Sequence, residues 1–125
     1  MASVRVLIID DSNAMRKVLA LSLRKAGAEV SEVWEAGNGQ EALSILENKH
    51  PDFMLCDINM PVMNGLEFVK AVKAVPSVSE IPVIMVTTEG GERMVVEALS
   101  YGAKGYIRKP FTQEQFASCI IPLIT

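Results

Sequence analysis

Three carboxylates, two hydroxyls and one ammonium recur at one kind of place in this sequence, just beyond a short apolar run. Asp10 and Asp11 follow residues 4–9, Asp57 follows 53–56, Thr87 and Thr88 follow 81–86, and Lys109 comes shortly after 105–107. Any one polar residue ending a strand means little, but four runs ending in complementary groups form a pattern. Carboxylates gathered in one pocket repel one another, and protonation or a cation must relieve the repulsion. An oxygen-only site open to water suits Mg2+ (or Mn2+); zinc would call for the His and Cys ligands that are missing. Mg2+ sites commonly combine one or two carboxylates with phosphate oxygens. A carboxylate can attack phosphorus to give an aspartyl phosphate. Lys109 and the Thr87 hydroxyl would then neutralise and hydrogen-bond the oxygens that the metal leaves free.

Such a pocket needs a frame that brings the run ends together. The apolar runs fall at 4–9, 33–36, 53–56, 81–86 and 105–107, rich in Val and Ile and mostly without alternation. That composition predicts strands covered on both faces. Glu32 and Glu35 mark the second as an edge strand. Amphipathic segments lie between the runs. Met15, Val18, Leu19, Leu23 and Ala26 form a helical stripe that Gly27 stops. Asn38 and Glu41 are spaced as a capping box for the second helix. The third follows Asn64-Gly65 and ends before Pro76. A fourth spans about 91–101, closed by Gly102, and a fifth begins at Thr112 and is expected to end or kink near Pro122. Five strands, each followed by a helix, imply a doubly wound α/β fold with a parallel sheet. In open sheets of this kind, sites lie beyond the carboxyl ends of the strands, where strand order reverses.

The chain of 125 residues reads as one domain, 1–125, with no repeat or linker. Its net charge of −3 and lack of a basic stripe argue against nucleic-acid binding. No apolar run approaches the roughly 20 residues of a membrane span, and the first residues lack a signal-peptide layout. Cys56 and Cys119 sit in apolar segments without ligand spacing, as buried thiols of a reducing, cytoplasmic compartment.

Together, Asp10-Asp11, Asp57 through Gly65, Thr87-Thr88 and Lys109-Pro110-Phe111 resemble the motifs of the receiver domains of two-component response regulators. The resemblance spans the whole chain, and each motif falls at the strand end where that family has it. It implies a flavodoxin-like (βα)5 fold with strand order 2-1-3-4-5. It implies Asp57 as phosphoacceptor, and Mg2+ bound by Asp11 and Asp57, by Asp10 through water and by the backbone carbonyl of Asn59. Lys109 would contact the phosphoryl group, with the peptide before Pro110 often cis. Thr87 and Tyr106 resemble the family's switch pair, and Asn59 and Glu89 border the path of the water that removes the phosphoryl group. The implied donor is a phosphohistidine on a sensor histidine kinase. Within the family, the likeness is to stand-alone chemotaxis receivers, whose target would be the flagellar motor switch. A phosphorelay intermediate or another two-component pathway is the alternative.

Other chemistries fit less well. A phosphohydrolase working through an aspartyl phosphate would want a second acid two residues after its nucleophile, where Asn59 stands. A flavin or nucleotide module would want a Gly/Ser/Thr-rich phosphate loop after the first strand, not Asp10-Asp11. A degenerate receiver serving as a scaffold would not retain every charged site residue. Trp34 reads as packing, and His50 is assigned no role.

Overall fold

The computed structural model describes residues 3–124. Strands and helices alternate: β1 (Val4–Ile9), α1 (Asn13–Lys25), β2 (Val30–Ala36), α2 (Gly39–Leu46), β3 (Phe53–Cys56), α3 (Gly65–Lys73), β4 (Val83–Thr87), α4 (Glu92–Ser100), β5 (Gly105–Arg108) and α5 (Gln113–Ile124). The sheet order is β2-β1-β3-β4-β5, with every neighbouring pair parallel. This is the flavodoxin-like order that the sequence motifs implied. Reversal of strand order at β1 and β3 leaves a crevice over their carboxyl ends.

The sheet divides two apolar layers. Leu7, Ile9, Met54, Cys56 and Met85 face one side with Phe68, Val69 and Val72 of α3. Val6, Ile8, Leu55, Ile84 and Val86 face the other, with Leu19 and Leu23 of α1 and Phe116 and Ile120 of α5. Adjacent strand residues thus point to opposite cores. This explains why the inner strands read as unbroken apolar runs.

Local chemistry sets the helix boundaries. Asn64 and Glu67 make a reciprocal capping box at α3, and Thr112 and Gln115 bond each other's backbone N–H groups before α5. At α2 the box is half made: Asn38 accepts from Glu41 N–H, while the Glu41 carboxylate reaches past Asn38 to Gly37 N–H. Gly27, at φ +96, turns the chain after α1, as only glycine does readily.

Three boundaries differ from expectation by two residues or more. The edge strand β2 begins at Val30, three residues early, because the exposed Ser31 and Glu32 break the apolar signal, while Val30 and Glu32 still pair with Val4 and Arg5 of β1 across a register shift at Ser31. β4 begins at Val83, since Ile81 belongs to the preceding turn, where its carbonyl accepts from Lys73 Nζ. The fifth helix passes through Pro122 to Ile124. Proline there removes one N–H on an exposed face, while Phe116, Ile120 and Ile124, four residues apart, keep their buried stripe.

Candidate functional site

Backbone hydrogen bonds lock the carboxyl ends of the strands to one another. Asp10 N–H donates to Ala36 O at 3.0 Å, Asp57 N–H to Ile9 O at 2.9 Å, and Lys109 N–H to Thr87 O at 2.8 Å. The residues flagged by position in sequence thus start from fixed backbone points. The carboxylates of Asp10, Asp11 and Asp57 gather with one oxygen of each within 4.8 Å of the others. Lys109 Nζ reaches between two of them, 2.6 Å from Asp10 Oδ2 and 3.3 Å from Asp57 Oδ2. Their other oxygens accept backbone donors: Ser12 N–H to Asp10 Oδ1 at 2.9 Å and Ile58 N–H to Asp57 Oδ1 at 2.7 Å. Asp10 and Asp57 are buried, whereas Asp11 faces solvent.

Three carboxylates against one ammonium leave a formal charge of −2 when all are ionised. The donor set is oxygen only, partly open and two charges short of neutral. A divalent oxygen-seeking cation such as Mg2+ fits it on each count.

Beyond Asp57 the chain turns tightly. Met63 N–H donates to Pro61 O at 2.7 Å around Val62, whose φ is +67. This is a γ-turn with a β-branched residue in the left-handed region, a strained arrangement beside the acidic pocket. The loop returns against its own strand at Gly65, whose N–H donates to Ile58 O at 2.8 Å. A Cβ on Gly65 would lie 2.0 Å from Asp57 O, so no larger residue fits without moving the acceptor's backbone.

Glu89 joins three elements. Its carboxylate accepts from Asn59 Nδ2 at 2.8 Å, its N–H donates to Thr87 Oγ1 at 3.3 Å, and its carbonyl accepts the Tyr106 hydroxyl. Thr87 is fully buried, while the Tyr106 ring packs partly buried against the apolar core. Burial, then the nearby Glu89 and Asp57, raise the Tyr106 phenol above its usual range, with Arg108 opposing. Thr88 and Arg108 face solvent. The Lys109–Pro110 peptide is cis.

Cys56, next to Asp57, is no nucleophile. It is fully buried, its thiol donates to Asp57 O, and burial followed by Asp57 and Asp10 pushes it well above the usual thiol range. Cys119 is half-buried, and both thiols are free. The sequence reading missed Arg16 and Ser12, which hold Asp10 from α1. A signal existed for Arg16. A cation in the first turn of a helix opposes the helix dipole, so it calls for local acceptors.

A doubly wound parallel sheet with three acids at its crevice, two of them bridged by a lysine, agrees with the receiver motifs of the sequence. A sequence model of the response regulator receiver domain matches residues 6–121, and the chain belongs to that family. A chemotaxis protein CheY homolog of Campylobacter jejuni subsp. jejuni is 43% identical over 112 residues, 89% of this chain and 85% of that protein. Chemotaxis protein CheY1 of Helicobacter pylori is 44% identical over 112 residues, 89% of each chain. Among solved structures, the chemotaxis response regulator CheY4 of Vibrio cholerae superposes with a TM-score of 0.85 at 35% identity, covering 98% of this chain and 99% of that one. The chain is a CheY-like receiver domain of two-component signalling. No helix among the described residues is long and apolar enough to cross a membrane.

Proposed function

We propose that this receiver is a monomeric cytoplasmic switch, phosphorylated on Asp57 by a sensor histidine kinase and read by a target such as the flagellar motor switch. The observation that carries the reading is the Lys109 ammonium held between Asp10 and Asp57 in a pocket two charges short of neutral. The chemotaxis relatives, covered over 85–89% of their length, support the pathway.

Asp11 and Asp57, with Asp10 through water and the Asn59 carbonyl, would hold Mg2+. When bound, Mg2+ supplies charge neutralisation for the incoming phosphoryl oxygens. The rest falls to the protein's own groups. An Asp57 carboxylate oxygen attacks phosphorus, the O–P bond forms, and the P–N bond to the donor histidine breaks. Lys109 leaves its contact with the Asp57 carboxylate for a phosphoryl oxygen, keeping its anchor on Asp10. The Thr87 hydroxyl donates to another phosphoryl oxygen. Water entering in line past Asn59 and Glu89 reverses the modification, so the domain acts only on its own phosphorylation state.

The switch follows from Glu89. Phosphorylation brings about −1.5 to −2 charge near pH 7 and draws the Thr87 hydroxyl toward it. That shift pulls on the N–H of Glu89, whose carbonyl is tied to Tyr106. The ring's packing and the surface of α4, β5 and α5 move together, altering affinity for the target. A difference of about 1.4 kcal/mol between states changes occupancy tenfold.

The test is intact mass after incubation with acetyl phosphate. A Mg2+-dependent gain of one phosphoryl group, absent in Asp57→Asn, is the expected result. A folded protein that takes up none, or an Asp57→Asn variant that takes up as much, would overturn the proposal.

A further inference from the structure

The acidic trio is not held uniformly. Asp10 and Asp57 each have Lys109 on one oxygen and a backbone N–H on the other. The Asp11 side chain accepts no hydrogen bond among the described residues, so its aim depends on the backbone beneath it. Two side chains hold that backbone: the Asp10 carboxylate accepts Ser12 N–H on the far side of Asp11, and Arg16 holds the near side. Arg16 Nη1 donates to Asp10 O at 2.6 Å, which fixes the plane of the Asp10–Asp11 peptide, while Asp10 N–H is fixed on Ala36 O. The same guanidinium donates through Nε to Glu35 Oε1 at 2.8 Å and through Nη2 to Asn13 Oδ1 at 3.3 Å. It thus spans the edge strand β2, the turn after β1 and the start of α1. The Arg16 side chain is only 17% exposed, and a planar fork with donors on three nitrogens suits such bridging where a lysine does not.

We propose that Arg16 is a positioning residue of the metal site: it clamps the Asp10–Asp11 peptide and so aims the Asp11 carboxylate, with Glu35 holding the clamp from β2. The proposal rests on the Mg2+ reading above. Charge and geometry act here with opposite signs. As a mere cation, Arg16 repels Mg2+, and its removal would tighten binding. As a clamp, its removal loosens a ligand and weakens binding.

The experiment is calorimetric titration of the whole chain with Mg2+, in parallel with urea unfolding to confirm a folded state. Partners that orient metal ligands typically contribute tenfold or more to affinity. Arg16→Ala is therefore expected to raise the Kd for Mg2+ by about tenfold. Arg16→Lys, which keeps the charge but not the fork, is expected to recover only part of this. Glu35→Ala leaves Arg16 in place without its anchor and is expected to weaken binding by a smaller factor. Unchanged or tighter binding by folded Arg16→Ala, or full recovery by Arg16→Lys, would overturn the proposal. If Arg16→Ala does not fold, Glu35→Ala decides, and unchanged affinity there overturns it. Absence of Mg2+ binding in the wild-type chain removes the underlying reading as well. Wild-type binding that both substitutions leave untouched removes only the role of Arg16.

Discussion

At the amino ends of the strands, charged side chains close loops. Arg5 and Asp52 exchange hydrogen bonds between β1 and the residue before β3, and their side chains form an ion pair open to solvent. Lys73 closes the turn before β4 by donating to the carbonyls of Ser79 and Ile81 at 2.9 and 3.1 Å. At the carboxyl ends, three acids gather around one ammonium that contacts two of them, two of the acids are buried, and the turn beyond Asp57 carries a strained valine. One edge spends its polar groups on closing loops. The other keeps an excess of like charge that folding alone would disfavour. The contrast locates function within one uniform sheet, because charge concentrated against its own repulsion calls for a ligand.

The contrast can be broken most severely at Gly65. Gly65→Ala places a Cβ against the Asp57 carbonyl, with an expected loss of about 2–4 kcal/mol in urea unfolding and loss of phosphoryl uptake from acetyl phosphate. Next comes Lys109→Met, which separates the two tasks of the pocket. Phosphoryl uptake should fall about a hundredfold, the scale of removing one positioned donor from a charge-developing transition state. Mg2+ affinity should hold or rise, because a competing cation has gone. The smallest effect belongs to the other edge. Asp52→Ala should cost roughly 1 kcal/mol or less, as exposed ion pairs do, and leave phosphoryl uptake unchanged.

The inner strands β1 and β3 were legible to the residue because both faces are buried and the apolar run ends where the strand ends. β2 was legible only in part, since the exposed Ser31 and Glu32 interrupt the apolar signal at its start. The course of α5 past Pro122 was not legible, because it depends on Ile124 finding a buried place in a distant core. The pocket's charged groups were readable as strand-end residues. Their partners were not. Arg16 reaching Asp10, and Gly65 lying against Asp57, are contacts that spacing does not reveal. Glu89 stood in the motif, yet its role as the joint between Thr87, Tyr106 and Asn59 exists only in three dimensions.

On the proposed function, the surplus charge at the carboxyl edge is held for a divalent cation. Urea unfolding of the wild type and Asp11→Asn, with and without millimolar Mg2+, tests it directly. Without the ion, Asp11→Asn should be the more stable by up to about 1 kcal/mol, since one repelling charge is gone. With Mg2+ the wild type should gain about 1.4 kcal/mol when the free ion stands at tenfold its Kd, and the variant should gain far less. Equal gains in both proteins, or none in the wild type, would contradict the claim.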